Sequence, residues 1–178
     1  IPFVQKYRVT LTGLTSAKIT VYEKSMVGYV EFMGSCLYFD KDGMVVESSK
    51  EHYGSVPKVT GLQMDYIVLN QKLPVVDDVI FQELLQMTQY FSSTMITFGD
   101  MESDMISLVD GIHFDSHENV SCTIGDIEIS FGSGEQMEGK LQEMHDILPK
   151  LYGRKGTLHL ETYDETVTEP SYVFRNRE

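Results

Sequence analysis

The sequence predicts an α+β fold: a largely antiparallel β-sheet with helices packed on one face. Three observations predict it. Short segments alternate polar and apolar residues between Gly, Asp and Asn; two stretches lengthen the apolar period to three and four; and the order runs strands, helix, strands, helix, strands.

Tyr7 to Leu11 and Lys18 to Tyr22 alternate around Gly13, which predicts a hairpin at the start. Three strands follow in `MVGYVEFMG`, `SCLYFDKDG` and `MVVES`, with Asp40-Lys41-Asp42-Gly43 as the turn between the last two. `VPKVTG` reads as an ordered connector, because Pro57 fixes its own φ and restricts Val56. Val76, Val79, Ile80, Leu84, Met87 and Phe91 then recur at helical steps, predicting a helix over 78–91 capped by Asp77 or Asp78. Strands resume with `MITFG`, `MISLV`, `GIHFD`, `VSCTIG` and `IEISFG`.

A second helix is predicted from Met137, Leu141, Met144, Leu148 and Leu151, which form one stripe. Ser133 and Gln136 have the spacing of a capping box, and Pro149 should end or kink the helix near Leu148. `TLHLETY` and `SYVFR` are the last two strands, with the polar `DETVTEP` between them.

The chain has 178 residues and a net charge of −13, which argues against duplex DNA, RNA and anionic membrane surfaces as main partners. The charge is uneven: residues 1–24 carry +3, whereas 100–146 carry −11. No apolar run approaches the ~20 residues that span a bilayer. Ile1-Pro2-Phe3-Val4 lacks the pattern of a signal peptide, so the chain reads as a fragment whose membrane anchor, if present, lies upstream. Cys36 and Cys122 lie among strand residues and read as buried free thiols, with a single long-range disulfide between them as the alternative, and no Cys-x-x-Cys pair supports zinc or thiol redox chemistry.

His113-x-Asp115-x-His117 is the most enzyme-like cluster, since a strand would place all three side chains on one face, where a transition metal could be held. Exposed polar residues at a strand end explain the same letters and are the preferred reading; a metal-dependent enzyme is the alternative. His145, between Glu143 and Asp146, reads as solvated, and His159 should face away from Leu158 and Leu160. Nucleophile-elbow, dinucleotide and phosphate-loop patterns are absent, and no cofactor is expected. The methionines, Met87, Met137 and Met144 among them, read as core filler or adaptable interface. Tyr172, Val173 and Phe174 read as an apolar terminal strand that either only closes the core or, at a sheet edge, offers unpaired N–H and C=O groups to another chain.

The order of several motifs resembles the extracytoplasmic part of the bacterial division family FtsQ/DivIB. They are `IPFVQKYRV`, `AKITVYEK`, `YFDKDGMVV`, `VPKVTG`, `KLQEMHDIL` and `GTLHLETY`, which together span nearly the whole chain. The resemblance implies that residues 1–24 are the C-terminal remnant of a POTRA domain and residues 25–178 the β domain. It further implies a non-enzymatic scaffold at the division septum, anchored by one upstream membrane helix. Its partners would be FtsL and FtsB/DivIC-type proteins, received by the last strand and neighbouring helix. Carried onto this sequence, the partner-binding positions are Tyr163, Tyr172, Val173 and Phe174. Ser25, where the family often has proline, and Thr162-Tyr163, where it often has Arg-Tyr, depart from its pattern. A secretion-related POTRA module is a further alternative.

Overall fold

The computed structural model describes residues 4–13, 15–116, 119–167 and 172–177. Strands β1 (Val4–Leu11) and β2 (Ala17–Glu23) pair antiparallel as a sheet of their own, Val9 opposite Ile19. They are followed by β3 (Gly28–Phe32), β4 (Ser35–Phe39), β5 (Val45–Ser49), β6 (Lys58–Thr60) and the helix α1 (Asp78–Ser93). A small hairpin of β7 (Met95–Phe98) and β8 (Met101–Asp104) comes next. The chain continues through β9 (Gly111–Ser116), β10 (Asn119–Ile124), β11 (Ile127–Gly132), helix α2 (Met137–Ile147), β12 (Gly156–His159) and β13 (Val173–Asn176).

Among the described residues nine strands make the main sheet, in the order β13-β12-β11-β10-β9-β6-β3-β4-β5. Antiparallel ladders hold β12 to β13, β9 to β10 to β11, and β3 to β4 to β5. Parallel pairing joins these groups at β11–β12, β6–β9 and β3–β6. The α+β class and the predominance of antiparallel pairing are as expected from the sequence.

Alternation decides which side chains meet the helices. Ile112 and Phe114, Val120, Cys122 and Ile124, and Ile127, Ile129 and Phe131 are buried, while the residues between them face outward. Against this face α1 packs Phe81, Leu84, Met87 and Phe91, and α2 packs Met137, Leu141 and Met144. Each large apolar side chain buried this way is worth about 1.5–3 kcal/mol, which is what fixes the helices to one side of the sheet. Strands β3 and β4 are buried on both faces. Tyr29, Cys36 and Tyr38 form a second cluster opposite the main core, under Met26 and Val56. The Tyr38 hydroxyl accepts a hydrogen bond from the Tyr53 N–H at 2.6 Å, pinning the covering loop.

Local chemistry sets the element ends. Asp77 caps α1, its carboxylate accepting from the N–H groups of Val79 (2.9 Å) and Ile80 (3.3 Å). The Asp40 carboxylate accepts from Asp42 and Met44 N–H in the turn predicted there. Pro149 sits in a 3-10 turn, Leu148–Leu151, that follows α2 directly and keeps both leucines buried.

Three expectations are corrected. `VPKVTG` contains a strand: β6 lies between β3 and β9 with Val59 buried, and it is held by parallel pairing to distant segments, not by any local period. `MISLV` is not a strand. Met105–Ser107 forms a 3-10 turn, and the burial of Met105 and Val109, four residues apart, supplied the misleading apolar letters. The Ser133–Gln136 capping box does not form either. Gln136 precedes α2 in the left-handed region with φ 54° and no side-chain cap. The buried Lys140 ammonium instead donates to the main-chain oxygens of Phe131 (2.8 Å) and Ser133 (2.7 Å), clasping the loop from inside the helix.

Both cysteines are free and buried, and burial pushes the Cys122 thiol far up. Among the described residues, no helix is long and apolar enough to cross a membrane.

Candidate partner-binding edge

Strand β13 ends the nine-stranded sheet. It pairs antiparallel with β12 on one side, with Leu158 opposite Phe174 and His159 opposite Val173. No strand pairs with its far side among the described residues. The Arg177 N–H donates to the Lys155 main-chain oxygen at 3.0 Å, so residues 177, 175 and 173 direct their backbone groups at β12. By the same period of two, the N–H and C=O groups of Phe174 and the N–H of Asn176 point to the open side.

The side chains divide by face. Val173 lies on the outer face and is 53% exposed, whereas Tyr172 and Phe174 are half-buried against the main core. The Arg154 guanidinium lies 4.6 Å over the Phe174 ring and donates to the Asn176 side-chain oxygen at 2.9 Å. The Tyr172 hydroxyl is out of solvent near Glu143 of α2. Burial first, then the charge of that carboxylate, pushes its pKa up to about 12. Tyr163 is close enough to add to the same shift, and its ring packs over Gly139 of α2. The four expected positions therefore gather at one end of the fold: Tyr163 and Tyr172 rest on α2, Phe174 lies under the edge, and Val173 projects from it.

The sequence reading missed the floor beneath these residues. Gly139 and Glu143 are four apart in α2 and so share a face, but nothing in that spacing marks it as the face that meets the terminal aromatics. Glu161, one residue past Leu160, was also missed. The Ser130 hydroxyl donates to its Oε1, and a His159 ring nitrogen lies 3.0 Å from the same oxygen. Burial raises the Glu161 pKa, but these two hydrogen bonds outweigh it and hold the carboxyl below its ordinary range.

The candidate metal cluster does not assemble among the described residues. His113 and Asp115 are exposed on β9, and the His113 Nδ1 is 2.9 Å from the Thr60 hydroxyl. His117 lies outside the described residues. No group of three or more His, Cys, Asp and Glu placed to hold a metal occurs among those described. His159 does face away from the buried Leu158 and Leu160. His145 differs from its solvated reading: its ring lies between Asp146 Oδ1 (3.1 Å) and the Met95 main-chain oxygen (3.2 Å).

The sequence matches no known family among those compared, and no curated protein matches it either.

Proposed function

We propose that this chain is the extracytoplasmic part of a bacterial cell-division scaffold of the FtsQ/DivIB kind, which binds FtsL and FtsB/DivIC-type partners by strand addition to β13. No reaction is assigned to it. The observation that carries the reading is the open side of β13, where outward backbone groups are flanked by Val173 and floored by Tyr172 and Phe174. A partner segment laid along it would gain main-chain hydrogen bonds for affinity and side-chain contacts for register.

The same proposal accounts for the β1–β2 hairpin as the end of a POTRA domain within residues 1–24, ahead of a β domain over 25–178. Tyr7, Val9, Leu11, Ile19 and Val21 share one face of that hairpin and are all at least half exposed. A two-stranded sheet with one apolar face needs a second layer, which the rest of such a domain would supply. The membrane helix, the septal location and the absence of a nucleic-acid partner belong to the proposal on the same footing.

The test is a titration with the soluble domains of DivIC and FtsL. Asn176→Pro removes an outward N–H while leaving the bonds to β12 in place, and Asn176→Ala controls for the side chain. About tenfold weaker binding for the proline variant alone is expected, the scale of one or two main-chain hydrogen bonds. Undiminished binding after deletion of residues 171–178 would reject the edge, and failure of the intact chain to bind either partner would reject the family reading.

A further inference from the structure

A second concave surface lies between the β7–β8 hairpin and the segment that ends α2. It is a cleft of about 580 Å³ whose lining includes Met95, Asp100, Glu102, His145 and Tyr152. That volume is in the range of sites that hold a ligand or a few peptide side chains.

The fold builds this cleft deliberately. Met95 pairs with Asp104 and Thr97 with Glu102, so these four share the outward face of the hairpin, while Ile96 between them is buried. Gly99, at the hairpin turn with φ 68°, lets the turn press on the opposite wall: a Cβ there would lie 2.5 Å from carbons of the Tyr152 ring. Phe98 braces that ring edge-on, the centroids 5.1 Å apart. At the base, the His145 ring spans from Asp146 on its own helix to the Met95 main-chain oxygen, tying α2 to β7.

Two properties of the lining select an occupant. Two large side chains of its lining face solvent, Met95 at 49% exposed and Tyr152 at 60%. Its formal charges are carboxylates: Asp100 and Glu102 line it, and no Lys or Arg does among the described residues. We infer that this cleft receives an arginine- or lysine-bearing segment of a partner polypeptide. The aliphatic stem of the cation would lie along Met95 and the Tyr152 ring, and its head would reach Asp100 and Glu102. An acidic or purely apolar segment is disfavoured, since it would leave these carboxylates repelled or desolvated without a partner. The inference rests on residues separate from β13, so it stands or falls independently of the proposed edge.

The probe is a capped, fluorescein-labelled hexapeptide containing Arg-Leu-Arg, with the same peptide carrying Glu for Arg as control. Anisotropy titrations would compare the parent chain with Asp100→Asn/Glu102→Gln and with Asp65→Asn/Glu165→Gln, a pair of equal charge change at exposed positions elsewhere. All four residues are exposed, and circular dichroism verifies that each variant is folded. The expected result is binding of the arginine peptide alone, weakened about tenfold by the first pair and less than about twofold by the second, as for loss of charge-assisted contacts. Equal weakening by both pairs would mean a diffuse attraction to an acidic protein and would overturn the site. So would undiminished binding to the first pair, or no binding at millimolar peptide.

Discussion

The Tyr163 ring occupies the space that a side chain on Gly139 would need: a Cβ there would lie 2.6 Å from the ring Cε1 and closer still to the hydroxyl. Gly139 is inside α2, where alanine would ordinarily add about 1 kcal/mol of helix stability. Here the substitution must push the ring out. Gly139→Ala is expected to gain nothing in thermal stability, or to lose ~1–3 kcal/mol as overpacked sites do. It should also weaken partner binding at the β13 end through displacement of Tyr163. Thermal melts and the partner titration read the two effects, and a melting temperature raised with binding unchanged would show that the contact is dispensable.

Glu161 should govern part of the acid response. Its folded pKa is held below the ordinary 4.5 by the Ser130 and His159 hydrogen bonds. A carboxyl depressed in the folded state contributes stability that is fully present above its unfolded pKa and is lost as pH falls through the folded one. Glu161→Gln is therefore expected to lose that contribution at pH 7 and to flatten the loss of stability below about pH 4.5, so that parent and variant converge in acid. Urea unfolding at pH 7 and across the acid limb measures it. An unchanged acid limb would remove Glu161 from the account.

Local periodicity carried most of the fold. The stripe from Met137 to Leu151 is buried throughout, and the alternation of `VSCTIG` and `IEISFG` places each apolar residue on the helix face, because in both cases one periodic face meets one core. What escaped depends on distant partners. β6 is three residues long and is a strand only because β3 and β9 flank it. The start of α2 is settled by Lys140 reaching back to Phe131 and Ser133, not by the Ser133–Gln136 spacing. At the candidate edge, Tyr163, Tyr172, Val173 and Phe174 were legible as aromatic and apolar letters near the end. Their floor of Gly139 and Glu143 was not, since it appears only when α2 and β13 share the end of the sheet.

Lys140 is a buried residue, and its burial lowers its pKa despite Glu135, Glu161 and Glu83 nearby. A lysine depressed in the folded state binds fewer protons there than in the unfolded chain, so its charging cost is relieved as pH rises from its folded pKa towards 10.5. Lys140→Met removes that cost but leaves the Phe131 and Ser133 oxygens without their donor, a loss of about 1–3 kcal/mol for a buried acceptor. The expected outcome is a less stable chain at pH 7 whose stability no longer climbs on the alkaline side. A variant as stable as the parent at pH 7 would reduce the clasp to incidental contact.

The N-terminal hairpin should be the least stable part of this chain. Its strands pair with each other in a separate sheet, and Tyr7, Val9, Leu11, Ile19 and Val21 present their apolar face to solvent. Without burial on that face, the hairpin ladder has little to oppose the chain entropy of opening. Its amides are expected to exchange with deuterium orders of magnitude faster than those of β10 and β11, whose inward residues are almost wholly buried. Ile19→Lys, placed where no buried contact is lost, should change global stability by less than about 0.5 kcal/mol. Protection of β1 and β2 equal to that of the central strands, or a large loss of stability with Ile19→Lys, would mean that this face is covered in solution. The hairpin could then no longer be the uncovered end of a second domain, because its apolar face would already have a layer packed against it.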